Sequence, residues 1–389
     1  MSTSNNLRLS NHPSLPADRD ILVCIFQRGA ADGLNSLVPY ADDNYYIHRN
    51  TIAVPAPGNT DGAIDLDGFF GLHPALAPMK PIYDTGDLAL IHATGVPHGS
   101  RSHFAAQGLV ERGIVDKTGP ITGWLGRHLS LSPPASNSAF RIVSISGNVP
   151  VSLQGATEPL AISNLGEFGF DQDIIDSGYP TALGNLFHSP VPFSSPAQAA
   201  LSALEELQAA NLSEILPDNG AVYPNNALGN KLKQVAQLIK STLPVEVVCL
   251  DSDGWDHHEN LPNFLQQSLT EFADSISSFY TDMGTQMSRI TLVVMSEFGR
   301  RVAQNASMGT DHGTASLAYA VGGGVNGGQV VKDWPGLDTT NLELGEDLKI
   351  TTDLRTVLSE MLIRRLGGTD ISTVFPGFSG PTSANVFLD

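Results

Sequence analysis

Six short, unbroken apolar runs limit what this chain can fold into. They are ILVCIF (21–26), LALIHA (88–93), FRIVSI (140–145), VEVVCL (245–250), ITLVVM (290–295) and LAYAV (317–321). A strand with one wet face alternates apolar and polar residues, whereas a strand covered on both faces reads as a continuous apolar run. Between the runs lie stretches with apolar residues at spacings of three and four, the signature of helices with one buried face. These are residues 199–216, 226–241, 264–283 and 354–367. Strands alternating with helices predict an α/β fold: a doubly wound, largely parallel sheet with helices on both faces.

A length of 389 residues suffices for one large α/β domain. Residues 1–20 read as a polar arm and 21–389 as a single domain. Residues 147–224 are richer in Gly, Pro and Ser and read as a possible insertion or cap. Apolar content of 41% with 16% charged residues is that of a globular protein. The formal charge of −19, from 40 acidic and 21 basic residues, opposes a polyphosphate backbone, so nucleic-acid binding is not expected. No apolar run approaches the roughly 18 residues of a membrane span. The polar N-terminus has no hydrophobic signal core, so as written the chain carries no export signal and reads as cytoplasmic. Cys24 and Cys249 fall inside strand runs and read as core thiols, with a disulfide as the alternative.

Ligands in such sheets bind beyond the carboxyl ends of the strands, and polar residues gather there. ILVCIF leads into Arg28, Asp32 and Asn35, and LALIHA into His98, Ser100, Arg101, Ser102 and His103. VEVVCL leads into Asp251, Asp253, Asp256, His257 and His258. ITLVVM leads into Glu297, Arg300 and Arg301, with Asp311 and His312 following in GTDHG. Several carboxylates in one cleft repel unless a cation neutralises them. Asp, Glu and His without cysteine suit a divalent ion, zinc first, with manganese or calcium as alternatives. Ser100 and Ser102 are candidate nucleophiles at the start of a predicted helix, whose N-terminus favours anions. Arg28 and Arg101 are candidates to grip the non-bridging oxygens of a phosphate or sulfate ester.

Plainer roles compete. Ser100 or Ser102 could simply cap the helix. Asp32-Gly33 is a common turn pair. Glu297 could pair with Arg300 or Arg301, and one histidine of DHH is expected to face solvent. His73 reads as structural or as support for a ligand. His12, His48, His128 and His188 have no polar company. The glycine run 322–324 reads as close packing more than as a phosphate loop.

RGAADGLNSLVPY, LDGFFGLHPALAPM, SRSHFAAQ, GWDHHENL, SEFGRRVAQN, GTDHGTA and the pair WPGL…TTDLR resemble the domain-of-unknown-function 1501 family, in order over residues 20–378. That family is similar in turn to the alkaline phosphatase and sulfatase superfamily. The resemblance implies a metal centre at the strand ends and a metal-dependent hydrolase of phosphate or sulfate esters that uses a serine nucleophile. It assigns Asp32, Asp311 and His312 to one ion and Asp256 and His258 to another, with Ser102 near the nucleophile position. Members of the family often carry a twin-arginine export signal. The superfamily supplies a further histidine after its Asp-His pair, and this chain has none beyond His312. His103 or Glu297 would then complete the shell, or the site holds one metal. Alternatively the chain is a non-hydrolytic metal- or anion-binding protein on the same scaffold.

Overall fold

The computed structural model describes residues 20–132, 138–168, Ser177 and 194–388, with the backbone alone for 194–199. Most of the polar arm, the centre of the 147–224 stretch, His12 and His188 lie outside the described residues.

The six apolar runs form β1 (Ile21–Gln27), β2 (Leu88–Gly95), β3 (Ile142–Ser144), β5 (Val247–Ser252), β6 (Ile290–Ser296) and β7 (Ser316–Gly322), which are joined by β4 (Leu160–Ala161), β8 (Gln329–Val331) and β9 (Thr352–Asp353). They make one sheet in the order β8-β2-β7-β6-β1-β5-β3-β4, with β9 beside β2. Central β1 pairs in parallel with β5 and β6, so Cys24 lies opposite both Cys249 and Val293. β7 runs antiparallel to both of its neighbours. The sheet is therefore mixed and largely parallel, as the apolar runs predict.

Six helices matter to the argument: α1 (His103–Arg112), α2 (Trp124–Leu131), α3 (Ser194–Ala210), α4 (Ala227–Lys240), α5 (Leu261–Met283) and α6 (Leu354–Arg365). Alternate residues of β1 point to opposite faces, as a period of two requires. Ile21, Val23 and Ile25 join the core built with α4 and α5, which includes Leu232, Leu269 and Phe272. Leu22, Cys24 and Phe26 join the core built with α2 and α6, which includes Trp124, Leu358 and Met361. Both faces are covered, which explains why the strand carries no polar alternation until Gln27. Cys24 and Cys249 are free and buried. Glycines 322 and 323 serve packing: a Cβ there would lie 2.0 Å from the Ile290 oxygen and 2.3 Å from Ser288 Cα. Among the described residues, no helix is long and apolar enough to cross a membrane.

Candidate metal centre

Three loops at the carboxyl ends of β2, β5 and β6 converge. The first turns into α1, with Ser102 in extended conformation at its N-cap and Gly113 closing it at φ +65°. Only a residue without Cβ adopts such a left-handed cap at no steric cost. The third loop folds back on itself, bridging Arg300 to His312. This fold explains the small residues around Asp311 and His312. A Cβ on Gly313 would sit 2.4 Å from the Arg300 carbonyl carbon, and one on Gly309 would sit 2.1 Å from that of His258.

His312 stands at the middle of the cluster. Its Nε2 is 2.9 Å from His103 Nε2, 2.9 Å from His258 Nε2 and 3.3 Å from Asp256 Oδ1. His258 Nε2 is 3.0 Å from Asp256 Oδ1, and His103 Nε2 is 3.4 Å from Asp256 Oδ2. Ligand atoms of His103, Asp256 and His312 all lie within 4.8 Å of one another. Zinc–nitrogen bonds near 2.0–2.1 Å give ligand–ligand edges of roughly 3 Å, so these spacings are compatible with a shared ion.

The far nitrogen of each ring is held by an acceptor. His103 Nδ1 donates to Glu297 Oε1 at 2.7 Å, His312 Nδ1 to the Arg101 carbonyl at 2.8 Å, and His258 Nδ1 to Asp311 Oδ1 at 3.2 Å. Each contact fixes the tautomer with its proton on Nδ1 and leaves the Nε2 lone pair facing the cluster. Three lone pairs at such spacing repel unless a proton or a cation lies between them. Beside a carboxylate, a divalent ion fits this donor set.

The carboxylates are kept ionised. Burial opposes the charge on Glu297, yet hydrogen bonds from Gln107, its own backbone, His103 and Gly29 outweigh that and lower its pKa. Burial also works against Asp256, and the Arg300 guanidinium beside it, with His258 and His103, holds its pKa down. Asp311 is lowered in the same way: Asn305 and His258 prevail over burial. Burial is the main cause of a lowered His312 pKa, with Arg300 and His103 adding to it, so the neutral ring that a metal requires is favoured.

The structure assigns several candidates to other places. Asp32 is buried away from the cluster. Its Oδ1 takes Arg49 Nη1 at 2.7 Å and the Asn35 N–H at 2.8 Å, and its Oδ2 takes Thr310 Oγ1 at 3.1 Å. Asp311 and Glu297 stand behind histidines. Glu297 does not pair with Arg300 or Arg301, and Arg301 instead meets Glu346 at 2.7 Å. Arg28 forks onto Glu111 at 3.1 and 3.2 Å and also binds Asp251, over the Phe26 ring. Arg101 Nη2 lies 2.5 Å from buried Asp347, so the backbone carbonyl is what this residue offers His312. Ser100 Oγ accepts the Ser102 N–H at 3.3 Å. Ser102 is exposed and its hydroxyl makes no capping bond. His257 is not solvent-facing: it is buried against Trp255 and stacked on Phe264, with its pKa pushed down to about 4 by burial. His73 caps a short helical turn by accepting the Ala75 N–H.

Sequence reading missed Arg300 as a tether. Its guanidinium donates to the carbonyls of Ala30, Thr310, Gly29 and Trp255 and to Asp256 Oδ1, the last at 2.6 Å. It thus ties the ends of β1, β5 and β6 together. Gln107, Asn305 and Asp347 were also missed. Gln107 and Asp347 act through contacts distant in sequence, to Glu297 and Arg101, while Asn305 reaches both Asp311, six residues on, and the His258 carbonyl.

Fold and cluster together define an α/β protein with a histidine–carboxylate centre at the carboxyl edge of its sheet. The chain belongs to the family described as "Protein of unknown function (DUF1501)", whose profile matches residues 89–348. No curated protein matches its sequence. Among solved structures it is similar to the zinc complex of the C-terminal periplasmic domain of EcEptC from Escherichia coli. That match has 9% identity and a TM-score of 0.40, and covers 96% of this chain and 93% of the other. It is similar to the PsFucS1 sulfatase of Pseudoalteromonas sp., with 13% identity, a TM-score of 0.41 and coverage of 95% and 72%. It is also similar to the alkaline phosphatase of the Antarctic bacterium TAB5, with 10% identity, a TM-score of 0.33 and coverage of 80% and 92%.

Proposed function

We propose that this chain is a metal-dependent hydrolase of phosphate or sulfate esters built on one divalent ion, zinc first, held by His103, Asp256, His258 and His312. The observation that carries the metal is the convergence of three Nε2 atoms whose partner nitrogens are all committed to acceptors. The ester class follows from the family resemblance and from the N-terminus of α1, which opens beside the cluster and favours an anion.

When bound, the ion supplies Lewis-acid polarisation and charge neutralisation at the ester oxygens. The chain's own groups do the rest. Glu297, Asp311 and the Arg101 carbonyl orient the three imidazoles. Ser102, exposed and free of capping duty, attacks the phosphorus or sulfur. The alcohol leaves with the serine proton, and water then releases the serine ester.

A second reading, a non-hydrolytic metal- or anion-binding protein, draws support from the arginines. Arg28 and Arg101 are both engaged by carboxylates, which leaves neither side chain free to clamp an ester. One experiment separates the two. Protein purified without chelator is analysed for metal and assayed with 4-nitrophenyl phosphate and sulfate plus zinc, manganese or calcium. The hydrolase reading expects one metal per chain, and turnover lost in Ser102→Ala with metal retained. Metal without turnover on either ester selects the second reading, and metal-free protein at full activity ends the first.

A further inference from the structure

Three neighbouring strands place their sulfur atoms on one face of the sheet. Cys24 of β1 stands opposite Cys249 of β5 in a parallel pair. Met295 of β6 lies two residues beyond Val293, the neighbour of Cys24 on its other side. All three side chains are buried in the core built with α2 and α6. All three also line one small cavity, together with Trp124, Ser144 and Ser152. Its volume is about 10 Å³, which is room for a single water-sized guest.

The strand geometry opposes a disulfide here. Neighbouring strands lie roughly 4.7–4.9 Å apart, and paired residues on one face leave the sheet side by side. A disulfide needs its Cβ atoms about 3.5–4.5 Å apart, so closing one would draw the two central strands together. Two metal–thiolate bonds of roughly 2.3 Å each span about 4.6 Å. An ion between the sulfurs therefore suits the spacing that the sheet already has.

The surroundings decide which ion enters. A hydrogen bond with the Cys24 thiol, followed by burial and the nearby Glu111 carboxylate, holds Cys249 well above the usual thiol range, against the Ser152 hydroxyl. A protonated, buried thiol is a poor nucleophile, so the pair resists alkylation and oxidation. Only a cation with high affinity for sulfur displaces such protons. Two thiolates and a thioether make a soft donor set, and soft donors select monovalent copper. The histidine–carboxylate cluster offers nitrogen and oxygen instead, so the two places sort metals by chemistry.

We propose that Cys24, Cys249 and Met295 form a binding site for one Cu(I) ion, seated between β1 and β5. Binding releases the two thiol protons to solvent and leaves copper in the same oxidation state. The site is independent of the hydrolase reading.

The test incubates reduced protein with Cu(I) under anaerobic conditions, with bathocuproine disulfonate as the competing chelator. Copper per chain and copper X-ray absorption are measured for wild type, Cys249→Ala, Met295→Leu and His312→Ala. Wild type should hold one copper with sulfur neighbours, and His312→Ala should hold the same. Met295→Leu, which conserves volume and so keeps the core, should bind about tenfold more weakly, and Cys249→Ala at least about 100-fold more weakly, as loss of a ligand implies. If Cys249→Ala does not fold, the sulfur neighbours and Met295→Leu still decide. No uptake against the chelator overturns the site, as does copper with nitrogen neighbours alone or affinity unchanged in Met295→Leu and Cys249→Ala. A Cys24–Cys249 disulfide in the native protein, found by peptide mass mapping, overturns it too.

Discussion

Asp311 Oδ1 lies 3.2 Å from His258 Nδ1, and the other nitrogen of the same ring is 2.9 Å from His312 Nε2. Asp311 therefore acts through His258. Asp311→Asn should retain metal with an affinity about 10–100-fold weaker, the usual cost of losing such a support. His312→Ala and Asp256→Ala should each remove the metal. Zinc titration of the three variants checks this, and equal losses in all three would return Asp311 to the coordination shell.

Asp32 and Arg49 form a buried pair, both almost fully out of solvent. Removing one charge of such a pair leaves the other uncompensated, at about 3–5 kcal/mol. Asp32→Asn should lower the unfolding free energy, read from urea denaturation, by that order and leave metal per chain unchanged. Metal lost without loss of stability would mean that Asp32 reaches the ion after all.

Arg300 satisfies four carbonyls and one carboxylate. Arg300→Met strands the four buried carbonyls, each costing about 1–3 kcal/mol, and should destabilise the fold and weaken zinc binding together. Arg300→Lys keeps the charge but lacks the planar fork, so an intermediate loss is expected. A wild-type unfolding curve for Arg300→Met would sink the tether argument.

Acid should weaken the fold through buried neutral histidines away from the cluster. Burial pushes His73, His92 and His128 down to about 4. His92 shows why: its Nε2 donates to the Leu37 carbonyl at 3.1 Å, while Nδ1 accepts the Ala93 N–H at 2.7 Å. The unfolded chain, with histidine near 6.5, binds more protons than the native one between these values. Their contribution is thus complete above about pH 6.5 and is lost as pH falls towards 4. Urea midpoints measured from pH 7 to 4.5 should fall, and His92→Asn should flatten the slope. A flat profile would mean that these rings are already charged in the native state.

Much of the architecture was readable in the one-dimensional pattern, because period and burial are local properties. Continuous apolar runs such as ILVCIF announce strands covered on both faces, and sheets of that kind gather polar loops at one edge. The residue types of the candidate centre were readable too, since histidines and carboxylates follow the ends of β2, β5 and β6. Position within the centre was not. Whether Asp256 or Asp32 faces the cluster depends on Arg300 and Arg49, which come from distant parts of the chain and choose their carboxylates only once the strands are side by side. Likewise, a histidine nitrogen becomes a ligand only when its other nitrogen meets Glu297, Asp311 or the Arg101 carbonyl. Those contacts span 53 to 211 residues, and at such separations only the packed sheet decides who meets whom.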